Sequence, residues 1–152
     1  MKSSGISRRE FLGRGLAFGA AAVSAPYIIP SGVLAADGRP GANDRIGIAV
    51  IGPGRQGGGL LSSAGGSKLA RIVAVADVNL VRARERAAKY KAEVYQDYRK
   101  MLERKDIDAV ITATPEHWRS LTCIHACQAG KDVYAEKPMT LTIREGDDIG
   151  AG

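Results

Sequence analysis

The 152 residues suffice for one domain with a substantial core and are too few for two full-sized domains. With 45% hydrophobic and 25% charged residues, the composition is that of an ordinary globular protein. The net charge of +6 has the sign of a nucleic-acid binder, but its distribution argues against one. Lys2, Arg8, Arg9 and Arg14 against Glu10 place half of that excess in the first 35 residues. Arg82, Arg84, Arg86, Lys89 and Lys91 alternate with acids and apolar residues in the manner of a solvated helix face, so no nucleic-acid partner is expected.

Residues 1–35 read as an export leader. A polar start with the pair Arg8-Arg9 precedes Glu10-Phe11-Leu12 and a mostly apolar run to Val23. Val33-Leu34-Ala35 then offers the small residues of a cleavage site. The paired arginines resemble twin-arginine signals, which carry folded proteins. The apolar run falls short of the ~20 residues a spanning helix needs. The expected location is therefore the periplasm or cell envelope, with the twin-arginine export machinery as a partner. Residues 36–44 are turn-rich and read as a linker.

Ile46 to Ile51 is a short β-branched run that predicts a buried parallel strand. It leads directly into Gly52-Pro53-Gly54-Arg55-Gln56-Gly57, a G-x-G-x-x-G loop. A helix-compatible stretch over 58–64 and a second strand over 71–76 follow, and that strand ends in Asp77, 20 residues after the third glycine. The spacing is that of a dinucleotide-binding βαβ unit. Gly52 serves the tight turn, Gly54 lets the backbone approach a pyrophosphate, and Gly57 lets helix and strand pack closely. Amides at the helix start, Gln56 among them, meet the phosphate charge, and Arg55 either touches it or stays solvated. Asp77 accepts from the adenosine ribose hydroxyls and its charge opposes a 2′-phosphate, so NAD is expected rather than NADP. A related fold holding another ligand, such as S-adenosylmethionine, is the competing reading.

Further along, a helix is expected over 79–91, a short strand over 93–95 and a helix over 97–102 with Asp97 as its N-cap. A buried strand over 108–114 is followed by a helix opened by Pro115 and stopped by Gly130. The next strand covers 131–135 and ends at Glu136-Lys137-Pro138, and a last helix starts near Thr142. Alternating strands and helices predict an α/β Rossmann fold over 45–152, a doubly wound parallel sheet. Ligands in such sheets sit at the carboxyl ends of the strands, where the glycine loop, Asp77, Thr114 to His117 and Glu136 to Pro138 all fall. Cys123 and Cys127, four apart on one helix, read as packing rather than a disulfide, with His125 on another face. No second cluster completes a metal site. Trp118 reads as packing, with cofactor stacking the alternative.

These residues carry a resemblance. The glycine loop, Asp77, Asp97 to Leu102, Thr112-Ala113-Thr114-Pro115-Glu116-His117-Trp118 and Ala129 to Pro138 together resemble the Gfo/Idh/MocA oxidoreductases. The resemblance covers about residues 43–150. It implies that Lys137 is the catalytic residue, hydrogen-bonding the reacting hydroxyl and stabilising charge on that oxygen. It also implies that Glu136 contacts the nicotinamide ribose and that Pro138 fixes the turn as a cis peptide. Thr114, Pro115 and His117 would line the nicotinamide half. Two departures stand out. Many relatives carry His where Arg119 stands, and relatives continue into a C-terminal substrate domain that is absent from this chain.

The expected function is NAD-dependent hydride transfer at a hydroxyl of a sugar or polyol-like small molecule. One alternative is an NAD-dependent glycoside hydrolase of the same fold. Another is a non-catalytic, truncated NAD-binding module, because the chain reads as a cofactor half without its substrate half. Homo-oligomer contacts are expected only from that second domain.

Overall fold

The computed structural model describes residues 33–35 and 40–150. The leader expected over 1–35 therefore lies almost wholly outside the described residues. The described part of the linker is tighter than its composition suggests. Ala42–Asp44 form a single 3-10 turn, with Asp44 Oδ2 accepting from the Gly41 amide at 2.9 Å.

Five strands and five helices follow in strict alternation: β1 (Ile46–Ile51), α1 (Arg55–Gly65), β2 (Ala70–Ala76), α2 (Leu80–Ala88), β3 (Glu93–Tyr95), α3 (Tyr98–Leu102), β4 (Ala109–Thr112), α4 (Glu116–Gln128), β5 (Asp132–Ala135) and α5 (Ile143–Gly150). All strand pairs are parallel, in the order β3-β2-β1-β4-β5. The doubly wound sheet expected from the sequence is therefore the observed fold. β1 lies at the centre because its residues are apolar on both sides. Ile48 and Val50 meet one core, Ala49 and Ile51 the other. The first core is closed by Leu61 of α1 and by Ala83 and Ala87 of α2. The second is closed by Met101 and Leu102 of α3 and by Ala126 of α4. The Val, Leu, Ile and Met side chains of the two cores are worth ~1.5–3 kcal/mol apiece when removed from water.

Several boundaries differ from expectation for identifiable reasons. α1 starts at Arg55, three residues early, because Gly54 caps it and the glycine-rich first turn is already helical. α2 stops at Ala88, where the amides of Tyr90, Lys91 and Ala92 fold back onto the carbonyls of Ala87 and Ala88. Lys91 completes that turn at φ 54, a left-handed position usually given to glycine, so no glycine marks the stop. β4 ends at Thr112, two residues before the expected end, as the chain leaves the sheet toward Pro115.

The chain passes from β1 to β2 on one side and later returns to β4 on the other. The crevice this reversal opens, at the carboxyl ends of β1 and β4, is where such a sheet receives ligands.

Candidate functional site

The turn out of β1 depends on Gly52, whose φ of +76 is a conformation that L side chains rarely adopt. Its amide donates to the Ala76 carbonyl at 2.9 Å, which pins the loop to the end of β2. A Cβ on Gly57 would run into the Gly52 carbonyl and lie 3.0 Å from Ala113 Cβ, so this glycine serves the packing of helix against strand. Gly54 differs, because a Cβ there would meet nothing within 4 Å. It borders open space at the mouth of α1. The first bond inside α1 runs from the Gly58 amide to the Gly54 carbonyl at 2.9 Å, so the amides of Arg55, Gln56 and Gly57 precede the helical ladder. Unspent donors and the positive end of the helix dipole together suit a diphosphate. Arg55 and Gln56 are both exposed beside this mouth.

At the end of β2, Asp77 is buried and its carboxylate is already engaged. Arg82 donates from Nε to Oδ2 and from Nη2 to Oδ1, both at 2.7 Å, and the Asn79 amide donates to Oδ1 at 2.8 Å. The bond to Asp77 raises the Arg82 guanidinium above its usual range. The acid expected to accept from the ribose hydroxyls thus carries a guanidinium partner that the sequence reading did not include. What faces the cavity is a paired carboxylate.

The third wall comes from β4 and α4. Pro115 caps α4, and the Trp118 amide closes on the Pro115 carbonyl at 3.0 Å, turning the first helical residues toward the sheet's carboxyl edge. Thr114 is half-buried; Pro115 and His117 are exposed on the cavity. Trp118, expected to be packing, is 51% exposed on the same cavity. Arg119 is buried in its stead, 5% exposed, and its guanidinium donates to the carbonyls of Thr114 and Pro138. The reversal has a physical cause. Trp118 projects from the first turn toward the cavity mouth, and only a long donor-rich side chain reaches both carbonyls from the next position.

Beyond β5, the Lys137–Pro138 peptide is cis. Gln56 Nε2 donates to Glu136 Oε1 at 2.9 Å, joining the glycine-loop helix to this turn. Glu136 Oε2 accepts from the Lys137 amide at 3.1 Å, and the Lys137 side chain is exposed. Glu136 reaches the start of α1 through Gln56, and neither Glu136 nor Lys137 is among the residues lining the cavity.

That cavity, about 600 Å³, opens from Gly52 along Asp77 and Arg82 to Pro115 and His117. Its far wall is Tyr98, whose hydroxyl hydrogen-bonds His125 Nδ1 at 2.8 Å. Burial pushes the Tyr98 hydroxyl pKa up. His125, expected to lie on a face of its own, is thus part of the cavity. Cys123 is buried and Cys127 exposed, both as free thiols. Sequence reasoning missed Arg82, Tyr98, His125 and Arg119 as parts of the site. Only the Asn79 cap, which fixes where α2 begins, could have pointed to Arg82.

The model of an oxidoreductase family described as an NAD-binding Rossmann fold matches residues 46–151. The chain belongs to the Gfo/Idh/MocA oxidoreductase family. Over 116 residues it is 34% identical to glycosyl hydrolase family 109 protein 2 of Shewanella sp. (strain ANA-3), covering 70% of this chain and 25% of that protein. Among solved structures it is similar to apo scyllo-inositol dehydrogenase from Lactobacillus casei, with 27% identity and a TM-score of 0.67 over 71% of this chain and 32% of that one. It is also similar to a 3-ketoreductase from Actinomadura kijaniata in complex with NADP and TDP-benzene. There the identity is 29% and the TM-score 0.66, over 70% and 33% of the two chains. The chain thus spans a quarter to a third of the length of these relatives. As a Gfo/Idh/MocA domain, it fits a nicotinamide dinucleotide on its own geometry. Gly54 leaves the space a pyrophosphate needs beside the first amides of α1, and Gly52 of the same loop borders the cavity, which runs past Asp77 on one side and Thr114 on the other.

Proposed function

We propose that this chain is the dinucleotide-binding part of an oxidoreductase acting on a hydroxyl of a sugar or polyol-like substrate, with NAD as the working nucleotide. One observation carries the reading. The Gln56–Glu136 hydrogen bond brings the diphosphate-binding helix mouth and the Glu136-Lys137-Pro138 turn together across 80 residues of sequence. The bound nucleotide would supply hydride acceptance and return. Gly52, Gly54, Arg55, Gln56 and Gly57 would hold its pyrophosphate, and Asp77 would take an adenosine ribose hydroxyl. Thr114, Pro115 and His117 would border the nicotinamide end, and Glu136 would hold that ribose.

Lys137 is the proposed catalytic residue. Its side chain is exposed at the strand end, next to the turn that Arg119 ties down through Pro138. An ammonium there would hydrogen-bond the substrate oxygen and stabilise the negative charge that develops as the hydroxyl proton passes to solvent. The test is Lys137→Ala in the gene product expressed from its own locus. The NAD dissociation constant should stay within about threefold, while turnover falls by ~10²–10⁴. Unchanged turnover would refute the role.

The likeness to a glycosyl hydrolase family 109 protein favours one second reading, in which a sugar is oxidised and reduced again within one cycle and a glycosidic bond is cleaved. Product sugar released without accumulation of NADH would select it; stoichiometric NADH would select the dehydrogenase. We further propose export: the Arg8-Arg9 leader motif supports twin-arginine transport to the periplasm or cell envelope. A reporter fused behind residues 1–35 that stays in the cytoplasm would refute this.

A further inference from the structure

Arg82 is placed to decide which dinucleotide this domain accepts. The Asp77 side chain is 2% exposed and that of Arg82 42%, so the pair has a buried end and an open end. Oδ1 of Asp77 already receives two donors, from Asn79 and Arg82, and Oδ2 one. A carboxylate oxygen takes about two hydrogen bonds, so one acceptor position, on Oδ2, is left for a ribose. Chelation of both the 2′ and 3′ hydroxyls is therefore closed while Arg82 stays in place. On the open end, the guanidinium has spent two of its five N–H donors on Asp77.

One other arginine lines this wall, paired in the same way but with an acid that caps α3 rather than ending β2. Arg99 is closed on Asp97 by two guanidinium bonds, at 2.9 and 2.7 Å. Gln96 lies beside them with its amide nitrogen directed to the Val78 carbonyl. The Arg82 backbone is held as well, because the Asn79 side chain accepts from the amides of Val81 and Arg82 at 3.1 and 3.2 Å. Any rearrangement is confined to one side chain.

We propose that Arg82 is a specificity-determining residue that admits both NAD and NADP. It cancels the charge by which Asp77 would turn away a 2′-phosphate, and it donates its remaining N–H groups to that phosphate when one is present. The free position on Asp77 Oδ2 serves the 2′-hydroxyl of NAD. The inference rests on the dinucleotide reading given above.

Trp118 is the single tryptophan of the chain and borders the cavity, so its fluorescence reports both nucleotides. Dissociation constants for NAD and NADP are measured in the unaltered chain, Arg82→Leu and Arg82→Lys. The unaltered chain should bind the two within about tenfold of each other. Arg82→Leu should weaken NADP by about tenfold or more, the loss of a charge-assisted contact, while NAD binds no more weakly than before because Asp77 is then open to both ribose hydroxyls. Arg82→Lys, which keeps the charge without the fork, should fall between.

Should Arg82→Leu fail to fold, the unaltered chain still decides. A phosphate monoester gains its second charge near pH 6. NADP should therefore bind more tightly at pH 7.5 than at pH 5.5 relative to NAD, which is the control on the same cavity. A preference for NAD above about a hundredfold, a flat NADP-to-NAD ratio with pH, or parallel changes for both nucleotides in Arg82→Leu each overturn the proposal. Failure of the unaltered chain to bind either nucleotide would instead overturn the dinucleotide reading itself.

Discussion

Gly54 and Gly57 stand three residues apart in one loop, yet the geometry assigns them separable duties, and two alanine variants should tell them apart. At Gly57 an added Cβ meets the Gly52 carbonyl and lies 3.0 Å from Ala113 Cβ. Neither neighbour can swing away, since one is backbone and the other a methyl fixed to it. Gly57→Ala is thus an overpacking change, with an expected cost of about 1–3 kcal/mol. At roughly 4–8 °C per kcal/mol for a domain near this size, the melting temperature should drop by at least about 4 °C. At Gly54 a Cβ meets nothing, and φ −65 with ψ −150 is extended backbone open to alanine. Gly54→Ala should leave the fold unchanged or stabilise it by about 0.4–1 kcal/mol through the unfolded chain. Its methyl would occupy the space given to the pyrophosphate. Losing even one charge-assisted amide contact there, about 1.5–3 kcal/mol, corresponds to a roughly 10- to 150-fold weaker NAD complex. Thermal melts followed by circular dichroism, paired with NAD titration of Trp118 fluorescence, separate the outcomes. If Gly54→Ala melted as low as Gly57→Ala, or kept full NAD affinity, the division of labour argued for the loop would be wrong.

Three further expectations follow from contacts away from the loop. The Arg99 guanidinium, with the Arg99 amide second, lowers the Asp97 carboxyl to about 2 from an ordinary 3.8. A depressed acid stabilises the fold fully above its unfolded value and loses that contribution as pH falls through the folded value. Urea midpoints of the unaltered chain should therefore fall more steeply than those of Asp97→Asn between pH 4 and 2, and parallel curves would contradict the cap's role. Leu61 is 1% exposed between α1 and the sheet, so Leu61→Ala should cost about 2–5 kcal/mol in urea denaturation, and a loss below 1 kcal/mol would mean the site collapses around it. Arg119→Met removes the bonds to the Thr114 and Pro138 carbonyls, at an expected cost of about 1–3 kcal/mol read the same way; an increase in stability would show that burying this cation outweighs its two bonds.

The strand cores and the glycine loop were legible in the sequence because each obeys a local rule. β-branched runs bury on both faces, and Gly52, Gly54 and Gly57 precede an acidic strand end at a fixed spacing. Arg82 was not legible, since five basic residues crowd positions 82–91 and nothing local says which one bends back to Asp77. The exchange of roles between Trp118 and Arg119 escaped for a related reason. Residue type favours the indole as the buried member, while the position of two carbonyls brought close by separate crossovers favours the guanidinium. The end of α2 at Ala88 was hidden because a lysine takes the left-handed turn at position 91.

The bond between Gln56 and Glu136 also bears on how the site comes into being. Its partners are joined only after β1, β4 and β5 have aligned. Closing so long a loop is entropically late work, and parallel pairings of this kind lengthen folding. Nothing short of the aligned sheet brings the two partners together. Partial unfolding at the β5 edge, where Tyr134 is 56% exposed, would release the Glu136 side first and leave the glycine loop without it.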